Sequence, residues 1–269
     1  MRQADLRADC ERCLGLCCVA TVLSRSADFA IDKPAGVACP HLRADSRCDI
    51  HPRLRQRGFP GCVVYDCFGA GQMIVQTTFN QQDWRQTPEI AEQMFGAFRV
   101  MRQLHELLWY LVEALNLVRA ARGSLGEELH AALDDTEQLT LGDPQTLLTL
   151  DVPTHRQKVN ALLIRASDLV RRDAHAPRLD YRGRDLVGKN LRGADLRCAN
   201  LRGASLLGAN LTHANLTRAD LTGADLRGAD LSDARLDKAL FLTQSQLESA
   251  RGNKATRLPA SLTRPMHWG

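Results

Sequence analysis

Between residues 180 and 244 an apolar side chain returns at every fifth position, leucine throughout from Leu186 to Leu236, with Tyr181 and Phe241 at the two ends. An alanine stands two residues before each centre from Ala194 to Ala239, whereas Arg184 and Lys189 hold the first of these positions. A period of five fits neither a helix at 3.6 nor a strand at 2. The two steady rows are therefore buried rows of a repeating, non-helical stack, with Ala held small by a narrow axis. Elsewhere the rhythm is helical. Over 88–122, Met94, Phe98, Met101, Leu108, Val112 and Leu115 recur at helical spacing, and Leu104, Leu107, Leu111 and Val118 widen the stripe. Pro88 suits the first helical position, Thr87 the N-cap, and the helix is expected to run to Arg122 and stop at Gly123. Further helices are predicted from Glu127 to Leu139, from Pro144 to about Asp151, and from Thr154 to Arg172. After Leu242, Thr243 opens a capping helix that ends near Gly252, followed by a loosely held tail from Leu258 to Gly269.

The first 80 residues follow no such period. Ala30 to Gly36 reads as a short extended piece closed by a turn, and Gly69-Ala70-Gly71 as a loop. Four regions result: 1–80, 81–176 as a helical collar, 177–244 as the repeat, and 245–269 as cap and tail. Formal charge over the 269 residues is +4, too mild by itself to argue for nucleic acid or a membrane. Its distribution is uneven, at +2 for 1–80, −4 for 81–176 and +6 for 177–269. No run of eighteen apolar residues exists to span a bilayer.

Eight of the nine cysteines lie between residues 10 and 67: Cys10, Cys13, Cys17, Cys18, Cys39, Cys48, Cys62 and Cys67. Packing gives no reason to cluster thiols this tightly, which leaves a disulfide framework or a metal site. The first residues lack the apolar core of a secretory leader, so the expectation is a cytoplasmic chain with reduced thiols, for which metal is the favoured reading. Eight thiolates suit two four-coordinate zinc sites, or an iron–sulfur cluster beside a second metal. Cys17 and Cys18 are adjacent, leave the backbone in different directions and need not serve one ion. His41 and His51 are substitutes by chemistry, although solvated loop histidines are the plainer reading. Arg47, Arg53, Arg55 and Arg57 supply positive charge against thiolates, or form a solvated face. Little apolar mass surrounds these residues, so metal is expected to hold them folded.

At these positions the chain resembles the zinc- or iron-chelating cysteine-cluster domain. The shared pattern is Cys10-x-x-Cys13, Gly15, Cys17-Cys18, Cys39-Pro40, Cys48-Asp49-Ile50-His51, Arg53 and the closing Cys62 and Cys67. The departure is Arg53-Leu54, where the family often has Arg-Pro, with a longer path to Cys62. The resemblance implies metal chelation, and in one branch association with a protein-lysine methylase.

The fivefold stretch, as in Asn190-Leu191-Arg192-Gly193-Ala194, is similar to the pentapeptide-repeat family. That resemblance implies a right-handed, quadrilateral β-helix with one pentapeptide per side, so thirteen units make about three coils stacked like neighbouring strands. The chain is thus expected to be of mixed class: a cysteine-rich metal-binding module, an α-helical middle and a C-terminal β-helix. Some members imitate acidic duplex DNA to regulate a topoisomerase. Here Arg192, Arg197 and Arg202 face outward and make a poor mimic. The same arginines lack the interleaved aromatics of a nucleic-acid surface. Cys198 is read as a free surface thiol. His105-Glu106 lacks the second histidine of a zinc-protease helix. The function expected is a metal-binding adaptor that presents the β-helix sidewall to a protein partner, with a homodimer as a further option. The alternatives are a metal- or iron–sulfur-dependent protein-modifying enzyme or its accessory subunit, and the DNA mimic.

Overall fold

The computed structural model describes residues 3–119, 123–172, 176 and 179–269, and by packing the chain divides into two units, Met1–Leu163 and Ile164–Gly269. In the first unit, α1 (Leu16–Ala20) and α2 (Pro60–Val64) are single turns set in loops. Helix α3 (Ala70–Met73) runs on into a π turn over Ile74–Thr78. Gly69-Ala70-Gly71 is thus the start of a helix and not a loop; Gly69 at φ +78 makes the entry bend that a side chain would strain.

The long helix α4 (Ala91–Val118) follows a 3₁₀ turn at Pro88–Ile90. Thr87 precedes that turn but makes no side-chain cap, a correction to the sequence expectation. The predicted end at Arg122 lies outside the described residues. Helices α5 (Leu125–Thr140) and α6 (Pro144–Thr149) pack on α4, as do α1 and α3. Asp143 caps α6 by accepting the Thr146 N–H at 2.8 Å. Helix α7 (Val152–Val170) contains the division between the units.

The main core joins Leu16 and Val19 of α1, Ile74, Leu147 and the α4 stripe of Met94, Phe98 and Met101, all fully buried. Each such side chain contributes roughly 1.5–3 kcal/mol by leaving water. A second, smaller cluster of Leu23, Ile50, Leu54 and Phe59 lies under the cysteine loops. Nearby, Leu23 and Lys33 form an antiparallel bridge, the extended piece expected around Ala30.

In the second unit, parallel bridges join residues twenty apart, from Asp180↔Asn200 to Asp220↔Leu240, so four pentapeptides make one coil. The pairing is by single residues at each side rather than by extended strands. The role of the leading Asp or Asn is visible in the corners. Its Oδ1 accepts the N–H two residues on, as at Asp180, Asn190, Asn200, Asn210 and Asp220. These are Asx turns, which replace the backbone partner that a bend removes. Residues such as Gly193 (φ +64) then take the left-handed conformation that ends each turn.

The centres from Leu196 to Phe241 are buried, while Tyr181 is half-exposed and Arg184 and Lys189 face solvent, so the first coil is less closed than the rest. The capping helix α8 (Gln244–Ser249) has the expected Thr243 cap, completed as a box by Gln246. The stack does not end there. Arg251 and Arg257 continue it, bridging to Asp230 and Arg235. Nor is the tail loose: Trp268 is buried and its Nε1 donates to the Ala250 carbonyl at 3.0 Å. Cys198 is likewise buried, and its carbonyl accepts from Arg171 at 3.2 Å. The reading of a surface thiol is therefore wrong, because α7 residues in the same unit lie beside that coil.

Candidate metal centre

Four local devices bring the cysteines together. Cys10 opens a 3₁₀ turn over Cys10–Arg12, where Asp9 accepts the Glu11 N–H at 3.2 Å. Leu14 and Gly15 then both take positive φ, turning the chain into α1 with Cys17 and Cys18. Cys39 is joined to α1 by its N–H to the Cys18 carbonyl (3.0 Å), and the Leu42↔Cys48 bridge closes the loop that presents Cys48. Cys62 rides on α2, and Cys67 precedes the left-handed pair Phe68 and Gly69 that opens α3.

Neighbouring helices hold these loops from outside. Gln72 bonds Arg7 and Asp9 backbone at 2.7 and 3.1 Å, Gln76 the Arg12 carbonyl at 3.0 Å, and Trp84 the Leu14 carbonyl at 3.1 Å. From α4, Arg102 donates to the Asp66 carbonyl at 2.8 Å and His105 Nδ1 lies 2.7 Å from the Phe68 carbonyl. The backbone on both sides of Cys67 is thereby fixed to the longest helix.

The eight thiols separate into two sets. Cys67 acts electrostatically on Cys13 and Cys17, and Cys10 on Cys67. Cys18 acts on Cys39, Cys48 and Cys62, and the last three act on one another. Packing divides them the same way. Cys17 and Cys67 lie against the main core, Cys48 and Cys62 against the small one. The sets are thus Cys10, Cys13, Cys17, Cys67 and Cys18, Cys39, Cys48, Cys62. Cys17 and Cys18 belong to different sets although their sulfurs are 4.0 Å apart.

Backbone N–H groups face several sulfurs: Gly15 and Leu16 that of Cys13, His41 that of Cys39, Ile50 that of Cys48, and Gly69 and Gly71 that of Cys67. Gly71 has to be glycine, since a Cβ there would lie 2.7 Å from Cys13 Cβ. Such donors favour a thiolate. Burial opposes them, raising Cys39, Cys48 and Cys67 and pushing Cys62 up to about 12. Within the close pairs, the hydrogen bond raises Cys10 and Cys17 and lowers Cys13 and Cys18.

All eight are free thiols, and among the described residues no three His, Cys, Asp or Glu side chains converge closely enough to hold an ion as they stand. His41 is engaged elsewhere, 3.1 Å from Asp49 and edge-on to Phe59, and His51 is exposed. Arg47 pairs with Glu11 at 2.8 Å in solvent. The cation that sequence reasoning missed is Lys33, only 3% exposed. Its Nζ donates to the carbonyls of Thr21 (2.5 Å), Val37 (2.9 Å), Pro34 (3.1 Å) and Val19 (3.3 Å). Burial lowers its pKa, and Cys39 and Cys18 are the first groups that oppose this. A lone lysine in a polar loop gives no signal in sequence that it is buried.

Comparison with known proteins bears mainly on the second unit. The pentapeptide repeats family model matches residues 182–206 and 204–241. Two solved structures are similar in the repeat, both from Nostoc PCC 7120. One is a pentapeptide repeat protein, 36% identical, covering 38% of this chain and 93% of that one at a TM-score of 0.27. The other is HetL, a pentapeptide repeat protein involved in heterocyst differentiation regulation, 34% identical over 32% of this chain and 36% of that one, at 0.17. Uncharacterized protein YybG of Bacillus subtilis (strain 168) is 54% identical over 267 residues, which cover 98% of this chain and 95% of that one. With the repeat matched and a relative similar along nearly its whole length, this chain belongs to the pentapeptide-repeat proteins, in one family with Bacillus subtilis YybG.

Proposed function

We propose that this protein is a metal-binding adaptor, in which residues 10–67 hold two ions and the β-helix sidewall receives a protein partner. The observation that carries the reading is the division of eight thiols into two sets of four, each set facing backbone N–H donors. The donor chemistry fits zinc, and equally fits an iron–sulfur cluster in one set. Ligation would remove the thiol protons and turn the sulfurs of each set toward a common centre. N–H groups and Lys33 already face them, which is the outer support that sulfur sites use.

For the sidewall, the support is the family itself, whose repeat is a rigid scaffold with interchangeable outward side chains. No helix among the described residues is long and apolar enough to cross a membrane. Anaerobic purification followed by elemental analysis tests the metal reading. Two zinc ions per chain, or iron with sulfide, is the expected result. Metal-free protein with its thiols oxidised in pairs would remove it.

A further inference from the structure

Lys33 is a buried cation whose partners are all carbonyl oxygens. Carbonyl dipoles satisfy N–H groups but bring no neutralising charge, and among the described residues no carboxylate pairs with it. An uncompensated buried ammonium is costly, so something of opposite charge is expected beside it. The groups that act on it are thiols: Cys39 first, then Cys18, Cys17 and Cys62. Three of those four belong to the second set. The first set faces the opposite charge, with Asp9 acting on Cys10 and Asp66 on Cys67. Its nearest cation, Arg102, is committed to the Asp66 carbonyl and lies over the Tyr65 and Phe68 rings. The second set also faces Asp49, a half-exposed carboxylate held by His41.

We propose that the two thiol sets are unequal ion sites, and that Lys33 makes the set of Cys18, Cys39, Cys48 and Cys62 the one that keeps its ion longer. The inference rests on the metal-binding reading above. An ion held by four thiolates carries two net negative charges if it is zinc, and the ammonium offsets one of them. The first set has only like charges beside it. The ions therefore leave in a fixed order, Cys10, Cys13, Cys17 and Cys67 first, which makes the first set the exchangeable site.

Zinc release from the full chain to a chromogenic chelator tests this. Wild type should release two ions in two phases, the fast phase missing in C13S and the slow one missing in C48S. K33Q keeps hydrogen-bond donors but loses the charge, and should speed the slow phase about tenfold. K33R keeps the charge and should restore it, and an unchanged fast phase in K33Q reports an intact fold. Cobalt in place of zinc, read by thiolate-to-metal absorbance, should fill the sites in the reverse order. Slow release from K33Q would overturn the role of Lys33, as would equally fast release from K33R, since the residue would then act by shape alone. A wild type that holds no ion at all would instead remove the metal reading itself.

Discussion

Ser167 on α7 donates a 2.6 Å hydrogen bond to the carboxylate of Asp220, which is fully buried in the repeat stack. Arg202 reaches the same oxygen at 3.2 Å, and the other oxygen accepts from the Thr222 N–H (2.9 Å) and hydroxyl (2.6 Å). One Asx corner is thus also the point at which a helix joins the coil within the second unit. Asp220→Ala leaves a buried guanidinium and two hydroxyls without their acceptor. It should cost about 3–5 kcal/mol of unfolding free energy. Thermal denaturation of the variant checks this; a change no larger than that of Asp185→Ala, an exposed corner, would contradict it.

His213 holds φ +60 where the repeat one coil earlier has Gly193 at +64. Its ring lies 4.0 Å from Asp233 and is more than half-exposed, so little would be lost with it. His213→Gly should stabilise the protein by about 1 kcal/mol by removing the left-handed penalty. A higher denaturation midpoint is the expected result.

Trp268 covers Gly252 so closely that a Cβ at that glycine would lie 2.5 Å from the ring. Trp268→Ala should cost about 3 kcal/mol and Gly252→Ala about 1–3 kcal/mol. The double variant should cost less than the two together, because the clash disappears with the ring. Chemical denaturation of the three variants gives the coupling directly.

Without metal, the thiols give stability a slope at alkaline pH. Cys62 keeps its proton to about 12 in the folded chain, against an ordinary value of 9.0. Between those values the unfolded chain binds fewer protons than the folded one. Stability therefore falls as pH rises through that window. Cys62→Ser should flatten the slope, measured by urea denaturation of chelator-treated protein at several pH values. Metal-loaded protein should show the opposite sensitivity, losing ions as acid protonates the thiolates.

Chelation itself should act locally. The cluster of Leu23, Ile50, Leu54 and Phe59 is small, whereas α1 shares its core with α4. Hydrogen exchange after metal removal should quicken across residues 21–62 and stay slow in α4. Uniform protection before and after would count against metal as the support of these loops.

Much of the architecture was legible from residue spacing because repeats and helices are local rules. The fivefold Leu and Ala rows required a coil, since each unit can bury its apolar face only against copies of itself. The α4 stripe required a long helix with most of its surface covered. The leading Asp and Asn were visible as letters, but their task at the corners was not, because it depends on where the chain bends. The eight cysteines were legible as a group by their density alone.

Their division into two sets was not legible, because it pairs Cys67 with Cys10 and Cys62 with Cys18 across loops of no fixed period. Tertiary packing also buried Lys33, Cys198 and Trp268, each polar or peripheral in its local context. Sequence determined the elements, because backbone periodicity and local turn chemistry act over a few residues. Only the folded chain decided which charges face which sulfurs, because burial and electrostatic contact are set by distance in space.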